Sequence, residues 1–148
     1  QKSVELGVAE IRPVLSERYV VRLNGERADK RVARWQEIVI SACEQSGRNT
    51  VPKVRPIVAY AQALADLPAA DEHLLMSLNR AQSLKNIAAA PRALTFMVGP
   101  EGGWTENEEA QAFAAGFQSV TLGPRVLRTE TASLAAIAAM QTLWGDFV

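Results

Sequence analysis

A chain of 148 residues, 48% apolar and 22% charged, is sized for one globular domain with a substantial core. One cysteine and one histidine exclude an internal disulfide and leave no Cys/His spacing for a metal, so no metal site is expected and a reducing cytoplasm is the default compartment. The net charge of zero hides an asymmetry: residues 1–55 hold 11 Lys/Arg against 7 Asp/Glu, so the N-terminal half either attracts a polyanion or is a solvated surface.

The opening Gln1-Lys2-Ser3-Val4-Glu5-Leu6-Gly7 reads as the last turns of a helix closed by a glycine cap, as if the chain began inside a larger protein. No apolar run approaches the roughly 20 residues of a membrane span, and no signal peptide is visible. Residues 8–15 form a strand candidate, Ser16-Glu17-Arg18 a loop, and residues 19–23 an extension or a turn before Asn24-Gly25. From Asp29 to Ser46 the apolar residues Val32, Trp35, Ile38, Val39, Ala42 and Cys43 recur at helical spacing, and Gly47 supplies the stop. Cys43, on that stripe, reads as a packed thiol rather than a nucleophile. Pro56 marks an edge or irregular segment. Residues 58–67 suggest a short helix and residues 73–78 a strand, with His73 at its start. Residues 83–90 read as a short helix or turn ended by Pro91.

The C-terminal third carries the chemistry. A strand run, Ala93-Leu94-Thr95-Phe96-Met97-Val98, leads into Gly99-Pro100-Glu101-Gly102-Gly103-Trp104, and Thr105 with Glu108 forms a helix-opening capping box. A second run, Ser119-Val120-Thr121-Leu122, leads into Gly123-Pro124-Arg125-Val126-Leu127-Arg128 and a helix from about Glu130 to Trp144. That helix has almost no polar face, which favours an oligomer interface. Strands alternating with helices predict an α/β fold with a largely parallel sheet and helices on both faces. Two strand–Gly-Pro–helix units can present backbone N–H groups to a ligand at the strand ends. Neither a phosphate loop nor a dinucleotide fingerprint is present.

The two loop runs, with Glu5-Leu6-Gly7-Val8, Ser16-Glu17-Arg18, Arg34-Trp35-Gln36 and residues 42–49 in the same order, closely resemble the RsmE family of bacterial 16S ribosomal RNA uridine-N3 methyltransferases, of the SPOUT class. The resemblance covers nearly the whole chain. It implies a SPOUT-type parallel-sheet fold with a C-terminal trefoil knot across residues 1–148, and a homodimer through the C-terminal helix. It also implies an N-terminal PUA-like RNA-binding domain that this sequence does not include. S-adenosyl-L-methionine would bind at Leu75, Met76, Val98, Gly99, Gly102, Gly103, Leu122, Gly123 and Leu127. Arg128, Glu101 and Arg18 become candidates for catalysis, with Glu101 either the base or an ion-pair partner of Arg125 or Arg128. Arg18, Arg48, Asn49 and Arg125 become contacts to 16S rRNA of the small ribosomal subunit. Relatives tend to carry His-Pro where this chain has Ser77-Leu78. Other readings are a SPOUT enzyme for another RNA, a cofactor-binding dimerisation domain without activity, and a phosphate-binding module.

Overall fold

The first turn of the chain is the helical end that its glycine announces: α1 (Lys2–Glu5) is followed by Gly7 at φ +96°, a backbone state that costs glycine little. In the computed structural model, which describes residues 1–19, 25–87 and 90–147, the strand expected over residues 8–15 is divided. Pro13 lacks an N–H for a ladder, and β1 (Glu10–Ile11) and β2 (Val14–Leu15) lie on either side of it. The segment expected over residues 19–23 lies, after Tyr19, outside the described residues, as does Asn24. The long helix α2 (Gly25–Ser46) starts one turn earlier than expected and stops at Gly47, φ +73°.

β3 (Lys53–Val54) pairs in parallel with β1, and β4 (Val58–Ala59) in parallel with β2. Because residues 58–59 are taken up in that pairing, α3 (Tyr60–Ala65) is shorter than the helix expected from residue 58. α1, α2, β1 and β3 close a small core of Val4, Val39, Ala42, Cys43 and Val54. Cys43 is thus a buried core thiol.

The sheet that matters for function follows. It comprises β5 (Glu72–Met76), β6 (Gln82–Ser83), β7 (Leu94–Val98) and β8 (Gln118–Thr121), all parallel, in the order β6-β8-β5-β7. β6 was not anticipated; it occupies the start of the helix or turn expected over residues 83–90, and a single 3-10 turn (Leu84–Asn86) follows it. Residues 88–89 of that stretch lie outside the described residues. Between β7 and β8 runs α4 (Glu106–Ala114), and α5 (Thr129–Trp144) ends the fold.

Successive strand side chains point to opposite faces, and the helices divide accordingly. Leu74 and Val120 pack with Ala136 and Met140 of α5, while Leu75 packs with Ala112 and Phe117 on the α3/α4 side. The expected α/β fold with helices on both faces is what forms. Only one side of α5 is covered by its own sheet; Thr131, Thr142 and Leu143 are exposed. No helix among the described residues is long and apolar enough to cross a membrane.

Candidate active site

β5 is central, so the C-terminal ends of β7 and β8 flank its own, and the two Gly-Pro loops face each other across the end of Met76. A cavity of about 830 Å³ opens there. Its apolar wall is Met76, Val98, Leu122 and Leu127; Gly99 and Gly103 contribute backbone, and Glu101, Arg125 and Arg128 stand at its edge. Open parallel sheets place ligands at strand ends for this topological reason.

Each loop is held by a bond to the neighbouring one. Trp104 Nε1 donates to the Met76 carbonyl at 3.2 Å. Its ring lies so close that a Cβ on Gly99 would come within 3.1 Å of it, which explains glycine at that position. Thr129 Oγ1, in the first turn of α5, donates to the Gly99 carbonyl at 3.1 Å and ties the second loop to the first. Gly123 holds φ +121° with open space around it, so its requirement is conformational.

The N-terminal part reaches the same place. Arg18 Nη1 donates to the Gly102 carbonyl. Behind it, the Glu17 carboxylate accepts from Thr105 Oγ1 and Asn107 Nδ2, both at 2.9 Å, and the Glu17 N–H donates to Glu108 Oε1 at 2.7 Å. The side-chain hydrogen bonds from Asn107 and Thr105 hold the Glu17 carboxyl below its ordinary range. Glu108, fully buried, completes the capping box: its Oε2 accepts from the Thr105 N–H at 2.9 Å, and its own N–H donates to Thr105 Oγ1.

Of the anticipated cofactor residues, Met76, Val98, Gly99, Gly103, Leu122 and Leu127 line the cavity; Leu75, Gly102 and Gly123 do not. The Leu75 side chain points, by its strand phase, into the core against Ala112 and Phe117. Gly102 faces Arg18, and Gly123 shapes the turn. Arg48, expected at the RNA, donates through one nitrogen of its guanidinium to the carbonyls of Val4 and Val8, at 2.8 and 2.9 Å. Asn49 is exposed on the loop after α2, away from the cavity lining. The expected pairing of Glu101 with Arg125 or Arg128 is not made among the described residues.

Sequence reading missed a polar group on one wall. The Ser77 hydroxyl donates to Glu109 Oε1, and Asn79 Nδ2 donates to Glu109 Oε2 at 2.7 Å, all three residues lining the cavity. Only a strand-end Ser-x-Asn, with no spacing rule linking it to Glu109, marks this group in the sequence.

Residues 1–141 match the family model described as an RNA methyltransferase domain. The chain belongs to this family. Among solved relatives of this RNA methyltransferase domain is the ribosomal RNA small subunit methyltransferase E of Neisseria gonorrhoeae, bound to S-adenosyl methionine. It is 70% identical with a TM-score of 0.92, over 99% of this chain and 61% of that one. A Legionella pneumophila methyltransferase in complex with its cofactor SAM is 36% identical with a TM-score of 0.91, over 97% of this chain and 59% of that one. The small subunit methyltransferase E of Mesomycoplasma hyopneumoniae is 39% identical over 134 residues, 90% of this chain and 58% of the relative. The chain therefore spans about three fifths of the length of these relatives.

Proposed function

We propose that this domain binds S-adenosyl-L-methionine in the cavity between the two Gly-Pro loops and methylates N3 of a uridine in 16S rRNA of the small ribosomal subunit, in the cytoplasm, as a homodimer. The knotted threading and the PUA-like RNA-binding partner domain belong to the same reading. The observation that carries it is the cavity itself, at the ends of β5, β7 and β8, in a chain 70% identical to a relative solved with that cofactor.

The residues present fit such a cofactor. Met76, Val98, Leu122 and Leu127 offer apolar walls for a flat base, the loop backbones offer donors and acceptors for its edge, and the Ser77–Asn79–Glu109 group offers polar atoms for hydroxyl or ammonium groups. When bound, S-adenosylmethionine supplies a methyl group on a sulfonium, an activated donor. The protein has to bring the nucleophile into line with it. Uridine N3 carries a proton at neutral pH, so the site has to accept that proton and stabilise the uridinate left behind. Glu101, at the cavity edge and without an ion-pair partner among the described residues, is placed to take the N3 proton. Arg125 and Arg128, on the opposite loop, are placed to balance the negative charge on the uracil ring. Arg18 acts from behind, holding the Gly102 carbonyl and with it the loop that carries Glu101.

Calorimetric titration with S-adenosylhomocysteine tests the assignment. Micromolar binding is expected to the parent protein and loss of about tenfold or more for Gly123→Val, whose Cβ fits the space but whose backbone cannot hold φ +121° without strain. A folded protein that does not bind the product overturns the cofactor site.

A further inference from the structure

Several basic side chains of the N-terminal half are already engaged once their contacts are traced. Lys2 pairs with Glu5 at 3.4 Å, and Arg12 and Arg55 share the Glu10 carboxylate, the latter at 2.7 Å. Arg48 is bonded to the Val4 and Val8 carbonyls and Arg18 to that of Gly102; Arg22 lies outside the described residues. What remains concentrated is the N-terminal half of α2. There Lys30, Arg31 and Arg34 are exposed, and Arg31 and Arg34, three residues apart, lie one turn from each other on the same side of the helix. The carboxylates one turn from them are Glu26, four residues before Lys30 and paired with it at 2.7 Å between two largely exposed side chains, and Glu37, three residues after Arg34 and without an ion pair to it among the described residues.

The arginine pair is joined to the site. Arg31 Nη1 donates to the Tyr19 hydroxyl at 3.3 Å, Tyr19 follows Arg18, and Arg18 holds the Gly102 loop at the cavity. Arg34 makes no hydrogen bond or ion pair among the described residues. Two exposed arginines one helical turn apart, neither ion-paired among the described residues and one of them joined to a loop at a methyl-transfer cavity, suit a negatively charged polymer that enters that cavity.

We infer that Arg31 and Arg34 of α2 form a phosphate track that holds the RNA strand flanking the target nucleotide. Tyr19 marks the point where the strand turns from the helix toward the cavity. The inference rests on the methyltransferase reading and adds the surface on which the substrate lies. It needs no base recognition, since phosphate contacts set position and register.

The test is binding of a fluorescein-labelled single-stranded RNA oligonucleotide across a salt series. It compares the parent chain with Arg31→Gln/Arg34→Gln and with Lys53→Gln/Lys85→Gln, which removes the same charge from other exposed positions. The α2 variant is expected to bind about tenfold more weakly, with the slope of log affinity against log salt reduced by about 1.4, the loss of two phosphate contacts on a single strand. The Lys53/Lys85 variant should stay close to the parent, and S-adenosylhomocysteine affinity should be the same in all three. Equal losses in both double variants, or an α2 variant that binds RNA like the parent, overturn the track while leaving the cofactor site standing. A parent chain that binds the product but no RNA overturns it too. A parent that binds neither overturns the methyltransferase reading itself.

Discussion

Tyr60 shows how much a single side chain can hold in this domain. Its hydroxyl donates to the Glu108 carbonyl at 2.6 Å, and its ring lies 5.6 Å from that of Trp104, the residue that spans from the first loop to Met76. Burial first, and then the negative charge of Glu108, push its pKa from 10.0 up to about 12. The sign follows from linkage. The phenol is easier to ionise in the unfolded chain, so the stability it carries is complete below about 10 and is lost as pH rises toward about 12. Tyr60→Phe should lower the unfolding free energy at neutral pH by about 1 kcal/mol. It should also flatten the decline between these two pH values, as read by urea unfolding. An unchanged alkaline slope would mean that another group sets it. Residue-scale reading of the sequence had limits of the same kind. The loop pattern pointed to Gly99 and Gly103, and both line the cavity. The face that the Leu75 side chain takes was not legible, because one step along a strand reverses the face and nothing local gives the phase.

Elements are joined here by short polar latches that sequence spacing reveals only when they are local. The Thr105/Glu108 capping box lies within one helical turn and was legible. The Glu17 contacts with Thr105 and Asn107 cross 88 and 90 residues and left no local signal. They nevertheless decide where Arg18 stands. Because Asn107 and Thr105 depress the Glu17 pKa, the contribution of this latch is present above the ordinary carboxylate range. It is lost as pH falls through the lower value of the folded state. Hydrogen exchange, corrected for intrinsic rates, should show residues 16–18 and 99–104 losing protection together in acid. Glu17→Gln, which replaces one acceptor by a donor facing Asn107 and Thr105, should lose that protection at neutral pH and show no further acid step. Full protection in the variant would show that the loop is held by other contacts. The pairings of the two-residue strands β1 to β4, and β6 itself, were hidden for a related reason. Periodicity needs several residues to declare itself, and these pairings come from tertiary placement.

At the scale of the molecule, the two ends of the described chain are fastened to each other. Gln141 Nε2 donates to the Leu6 carbonyl at 3.0 Å, and a Cβ on Gly7 would meet the end of that side chain, so the end of α1 and the end of α5 are in contact. This fixes α5 on one side of the sheet and leaves its other side outward. The all-round apolar character of the helix was legible in the sequence. How it is shared was not: Ala132, Ala136, Ile137 and Met140 are buried in the chain itself, while Leu143 remains 47% exposed. Two cavity-lining side chains, Leu78 and Val126, are also exposed, at 62% and 80%. An apolar surface of this sort, on a helix whose small alanines permit close approach, supports the proposed homodimer. Leu143 can be changed without touching the core, so Leu143→Arg should leave the far-ultraviolet circular dichroism of the parent intact. It should shift the mass in sedimentation equilibrium from two chains to one. If the proposed dimer also helps to shape the cavity, S-adenosylhomocysteine affinity should fall with dimerisation and recover as protein concentration is raised. A parent chain that sediments as a monomer at concentrations where it binds the product would remove α5 as a subunit contact. Leu78 and Val126 would then be left for the cofactor or the RNA to cover.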